Sequence, residues 1–206
     1  MSRKKKEKNK AIAMIELCSI AQGIVACDVA LKKSSVTLVW SQAFQPGKYA
    51  FLIQGGEEEV KDAIQAAQTT SGAFLIDSLV LTQPHEQIYP LLEIDYIKIA
   101  ENSVAKSKER ENFFANPQKE TLGIIETYGL VANLRAADAA LKESDIQGLE
   151  LSFSPLLGGK GCFVFCGKLE AVQASLQKGI TQAPKNLIMH HQCIARPDAQ
   201  LKWLLS

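Results

Sequence analysis

The sequence predicts an α/β fold, helices laid against a sheet, built twice over in one chain. Two observations carry that prediction. Short apolar, strand-like runs alternate with helix-length segments of 12 or more residues, an order that places helices on a sheet. The second half of the chain then repeats the first at a nearly fixed offset. The length agrees: 206 residues make one large domain or two of about 100 residues each, with a sizeable core that needs no disulfide or metal.

The repeat is read directly. "AIAMIELCSIAQGIVACDVALKKSSV" (Ala11 to Val36) lies over "TLGIIETYGLVANLRAADAALKESDI" (Thr121 to Ile146) at an offset of 110, so that Glu16 meets Glu126, Asp28 meets Asp138 and Lys32 meets Lys142. Past a glycine-lysine turn the offset becomes 112: Lys48 meets Lys160, Phe51 meets Phe163, Gly55 meets Gly167, and Leu75-Ile76 meets Leu187-Ile188. The change falls inside the turn, where insertions are tolerated.

Each copy has the same order of elements. A first strand (Ile12 to Leu17; Leu122 to Glu126) leads to a helix with small residues on one face (Ile20 to Lys33; Leu130 to Glu143). Two strands flank the turn (Thr37 to Phe44 and Tyr49 to Gln54; Leu149 to Phe153 and Cys162 to Cys166). A second helix (Glu57 to Thr70; Leu169 to Gln182) precedes a last strand (Phe74 to Leu81; Leu187 to Ile194), which ends at a proline before a short terminal helix. The expected organisation is a basic, disordered tail over 1–10, a first domain over 11–92, a charged linker over 93–119 with Pro117 near its end, and a second domain over 120–206.

Charge and cysteine narrow the function classes. The net charge is +1, but the first ten residues carry six basic side chains and one acidic, so the body is mildly acidic. That body lacks the clustered positive face of a nucleic-acid groove. No apolar run approaches the ~18 residues of a membrane span, so a soluble, cytoplasmic protein is expected. An odd count of five cysteines, most inside apolar segments, suits reduced core thiols. Cys162 and Cys166, four apart on a strand, share a face without forming a metal signature.

No catalytic constellation is present: there is no P-loop, G-x-G-x-x-G, H-E-x-x-H or G-x-S-x-G. His190 and His191 are adjacent on a strand and point to opposite faces, which argues against a shared metal. Glu16 and Glu126 occupy equivalent positions, which suggests one structural role repeated, such as capping a helix start. The chain is expected not to be an enzyme, and no catalytic residue, metal or cofactor is assigned.

The run "GIIETYGLVA", then "AADAALK", "GGKGCFVFCGKLEAVQASLQKG" and "ARPD" resembles the bacterial microcompartment (BMC) shell domain. The first copy, with "IELCSIAQG", the "PGK" turn and "LIDSLVL", resembles the same domain in a more diverged form. Two such domains in one chain are similar to the tandem-domain shell proteins, most of all those of propanediol-utilisation compartments. The resemblance implies a ferredoxin-like α+β fold in each copy and a homotrimer with a pseudohexagonal outline.

It also implies roles for residues. The family tiles edge to edge through a lysine near the end of the first helix, matched by Lys32 and Lys142, whose long stems pack while their heads reach across a seam. The family's edge arginine matches Arg196, ahead of Pro197; the first copy departs from the pattern with Gln83 ahead of Pro84. The turns match the pore loop: Phe44, Gln45, Pro46, Gly47 and Lys48 in one copy, Leu157, Gly158, Gly159 and Lys160 in the other. Cluster-bearing relatives place a cysteine immediately before that Pro-Gly; Gln45 stands there and supplies no thiolate. A polar ring of glutamine carboxamides is the expectation instead.

The resulting reading is a structural tile of a microcompartment shell of the propanediol or ethanolamine type. Its expected partners are itself, hexameric shell proteins, encapsulated enzymes and a small metabolite at the pore, with neither nucleic acid nor membrane. The rival readings are a soluble trimeric ligand-binding or signalling module and an iron–sulfur redox carrier.

Overall fold

The computed structural model describes residues 10–92, 120–153, 159–198 and 201. Residues 1–9 of the basic tail, the whole linker 93–119 with Pro117, residues 154–158 of the second turn, and residues 199–200 and 202–206 lie outside the described residues. The chain divides into two compact units, one comprising Met1–Gln42 with Tyr49–Glu86, the other Ala43–Lys48 with Gln87–Ser206.

In the first unit β1 (Ala11–Leu17), α1 (Ile20–Lys33), β2 (Thr37–Phe44), β3 (Lys48–Gly55), α2 (Glu57–Ser71) and β4 (Leu75–Leu81) follow in order. The sheet order is β2-β3-β1-β4, with β1 antiparallel to both β3 and β4. All seven residues of β1 are buried, as a central strand covered on both faces requires. Against it α1 turns Gly23, Ala26, Cys27 and Ala30, and α2 turns Val60, Ala63, Ile64 and Ala67. Both sets recur at intervals of one turn, and their small size lets the helices lie close to Ile15, Phe51 and Ile53. Ser19 caps α1, its Oγ accepting from the Gln22 amide at 3.3 Å. Three glutamates, Glu57 to Glu59, occupy the first turn of α2, where the positive end of the helix dipole favours them.

The second unit repeats the plan with β5 (Thr121–Thr127), α4 (Leu130–Glu143), β6 (Ile146–Ser152), β7 (Gly161–Gly167), α5 (Leu169–Gln182) and β8 (Ile188–Ala195), in the sheet order β6-β7-β5-β8. Short helix α3 (Ile88–Leu91) and the turn Ala43–Lys48 also belong to this unit. Phe163 and Phe165 stack at 5.0 Å between ring centroids, and Gly123 opposite leaves the room, since a Cβ there would stand 2.5 Å from Phe165.

Three details depart from the sequence reading. Strand β6 begins at Ile146, three residues before Leu149, because Gly148 stays in the ladder opposite Phe165 and a register shift follows it. In the last strand Leu17 pairs with Leu75 and Thr127 with Ile188, so the true offset there is 113 and Leu75 corresponds to Ile188. The extra residue sits in Ala183-Pro184, where the proline prevents α5 from continuing. Finally, the helix caps are Ser19 and Gly129, and α4 has no side-chain cap hydrogen bond. Glu16 and Glu126 lie instead within the ladders, opposite Asp77 and His190 respectively.

Candidate functional site: the turns and the edges

The first turn closes with the Gly47 amide donating to the Phe44 carbonyl at 2.9 Å. Gly47 has φ +110, a conformation that side chains resist, so this position needs glycine. The Gln45–Pro46 peptide is cis. Phe44 is buried and anchors the turn, whereas Gln45 and Pro46 are exposed at its tip. Lys48 does not project freely: its Nζ donates to the Tyr128 carbonyl at 3.0 Å.

That hydrogen bond fixes the first turn within the second unit, and Gly159 of the second turn meets it there. A Cβ at Gly159 would stand 2.9 Å from Lys48 Cδ and 3.6 Å from the Gln45 carbonyl oxygen, and its φ of +72 adds a backbone reason for glycine. The two glycine-lysine turns, 112 residues apart by repeat, are therefore neighbours. Lys160 is half-buried beside Gly159; Leu157 and Gly158 lie outside the described residues.

Of the residues expected at the edges, Lys32 and Lys142 hold equivalent stations in the last turns of α1 and α4. Each donates to the aspartate one turn back, Asp28 Oδ2 and Asp138 Oδ2, at 2.6 Å. Such i, i+4 pairs add about 0.3–0.5 kcal/mol, so their value is mainly in holding each lysine stem along its helix. The surroundings differ: the Asp28 side chain is 55% exposed, that of Asp138 only 7%. Arg196 follows β8 directly, its amide donating to the Glu120 carbonyl at 3.3 Å, and its φ of +52 is uncommon for a residue with a side chain. Sequence reasoning missed this strained station and both lysine–aspartate pairs, although the D-x-x-x-K spacing in each copy carried the signal.

The groups that would support redox or acid–base chemistry are set elsewhere. Among the described cysteines only Cys18 is exposed, and all five are free thiols. Burial, followed by the charges of Glu126 and Glu150, pushes the Cys162 thiol up to about 11; burial also raises Cys27 and Cys193. These are poor nucleophiles near neutral pH. Among the described residues, no three His, Cys, Asp or Glu side chains are grouped to hold a metal ion. No cysteine stands in Ala43–Lys48, so that turn does not fit an iron–sulfur cluster.

Two copies of one four-stranded unit, each with a glycine turn and a lysine at the end of its first helix, define a tandem tile. The BMC domain family matches residues 11–84 and 121–197, and the chain belongs to that family. Among its relatives, the bacterial microcompartment shell protein PduT of Citrobacter freundii is 30% identical over 94% of this chain and 96% of its own length. The carboxysome assembly protein CcmO of Synechocystis is 23% identical over 86% of this chain, which spans 58% of that protein. The crystal structure of a microcompartment protein from Desulfitobacterium hafniense superposes with a TM-score of 0.72, at 26% identity over 94% of this chain and 98% of that one. A fused permuted hexameric shell protein of the RMM microcompartment, at 17% identity and TM-score 0.58, shares the fold over 85% of this chain and 81% of its own.

Proposed function

We propose that the chain is a structural shell tile of a bacterial microcompartment, a homotrimer whose six domains make a pseudohexagonal disc around a central pore. The observation that carries this reading is the meeting of the two turns, Gly159 packed on the Lys48 stem. A ring of three chains brings alternating turns of this kind to one axis. There Gln45 and Pro46 present the exposed rim, with Gly47, Gly159 and Lys160 behind it and Phe44 and Lys48 as anchors. Three Gln45 carboxamides at the axis give a neutral, hydrogen-bonding aperture suited to small polar metabolites. The relatives are structural shell proteins, which supports a non-enzymatic role.

Tiling with hexameric shell proteins would run through Lys32, Lys142 and Arg196. Replacing Lys142 with alanine should leave the trimer intact and raise the concentration needed for sheet formation by about tenfold, the equivalent of one contact worth 1.4 kcal/mol per site. Sedimentation of sheets against trimer, with and without a hexameric shell protein, reads both quantities. Unchanged sheet formation and co-assembly would remove Lys142 from the edge.

A further inference from the structure

We propose that neighbouring tiles of this chain lie in one orientation, each seam joining the α1 edge of one copy to the α4 edge of the next through opposite charge. The inference rests on the edge role proposed for Lys32 and Lys142, and it names the partner that each edge takes.

The two repeats diverge in charge where the first helix runs out. The first copy reads "ALKKSSV" (30–36) and the second "ALKESDI" (140–146). The backbone there is the same: α1 ends at Lys33 and α4 at Glu143, each followed by an extended serine, Ser34 with φ −145 and Ser144 with φ −149. Lys32 and Lys142 are common to both ends, as are the aspartates they hold one turn back. What differs is Lys33 against Glu143 and Ser35 against Asp145, and all four residues are exposed. Both differences move charge in the same direction. Asp28, Lys32 and Lys33 leave the α1 end at +1, whereas Asp138, Lys142, Glu143 and Asp145 put the α4 end at −2, or −1 when Lys178 is counted.

These charges are not consumed inside their own units. Among the described residues, no carboxylate pairs with Lys33 and no basic group pairs with Asp145. Glu143 meets Lys178 of α5 at 3.6 Å, beyond hydrogen-bond contact. In the first unit α2 opens just past Gly55, whose Cβ position lies 3.5 Å from the Ser35 carbonyl oxygen. Its glutamates are engaged by their own helix: Lys61 holds Glu57 and Glu58 at 2.7 and 2.9 Å, and Glu59 turns back over Gly56.

A disc of three chains carries its two kinds of edge in alternation, so every α1 edge lies opposite an α4 edge. Discs set side by side in one orientation therefore meet only through unlike edges, positive against negative. Turning one disc by a sixth of a turn would bring Lys33 against Lys33, and like charge across a close seam is repulsive. The contact is heterologous, and repetition by translation extends it into a sheet without closing it.

Sedimentation of sheets over a concentration and salt series, on full-length chains, tests the pairing. Light scattering below the sheet threshold confirms that each variant keeps the parent's assembly. Electron microscopy of the parent's sheets should show every disc in the same orientation, and the sheets should weaken as salt screens the attraction. Lys33→Glu and Glu143→Lys should each raise the concentration needed for sheets by about tenfold, by setting like charge against like. The double variant exchanges the signs and should recover most of that loss. Single variants that form sheets as the parent does, a double variant no better than either single, or discs of alternating orientation overturn the pairing. So does a parent that forms sheets only together with a hexameric shell protein. Lys142→Ala separates this inference from the edge reading beneath it. Weaker sheets there, with charge variants that behave as the parent, keep Lys142 at the edge and remove the pairing; unchanged sheets remove both.

Discussion

Gly159 and Lys48 show how much of the site depends on single atoms. The glycine has no side chain where the lysine stem passes, and the lysine ammonium holds the Tyr128 carbonyl. Titration of two other residues offers a test of packing at this scale. Burial, then nearby carboxylates, pushes Cys162 from 9.0 to about 11 and Tyr89 from 10.0 to about 12. Both folded values are raised, so the unfolded chain loses these protons first as pH increases. Their contribution to stability is therefore complete below about pH 9 and declines through pH 11 for the thiol and pH 12 for the phenol. Thermal unfolding midpoints should fall across that window. Cys162→Ala should flatten the lower part of the decline and Tyr89→Phe the upper part. An unaltered slope in both variants would contradict the burial assigned to them.

At the scale of elements, the close approach of α4 and α5 depends on Gly179. A Cβ there would stand 2.7 Å from Ile125 Cδ1 and 2.9 Å from the Ala136 carbonyl oxygen, and a carbonyl in a helix cannot step aside as a side-chain end can. Gly179→Ala should cost about 1–3 kcal/mol through overpacking, measured by denaturant unfolding; a neutral or stabilising effect would show that the helices separate more easily than their packing indicates. Much of this architecture was legible beforehand. Helices Ile20–Lys33 and Leu130–Glu143 were readable to their ends because small residues recur at helical spacing and serines follow the terminal lysine or glutamate. The start of β6 was not, because Gly148 breaks the apolar pattern and its partner, the Gln87 side chain, lies 61 residues away. The last strand was misaligned by one because the offset changes between α5 and β8, and the apolar run Leu187-Ile188-Met189 at the start of the strand gives no register of its own. The turns were legible as a repeated glycine-lysine pattern, but their contact was not, since nothing local in either turn encodes Lys48 reaching Tyr128.

The two repeated units differ most in how far their first helices are covered. α4 is buried along most of its surface, whereas α1 leaves Ile20, Ile24, Val25 and Leu31 open. Asymmetry of that kind between repeats is expected when one joint lies within a chain and the other between chains. On the proposed reading, the three-chain assembly is the unit that presents a pore and an edge. Electron microscopy of the purified full-length chain tests this most directly. Six-lobed discs built from three chains, with a central opening and lateral contacts between discs, are the predicted result. Particles of one or two chains, with no central opening at any concentration, would contradict it.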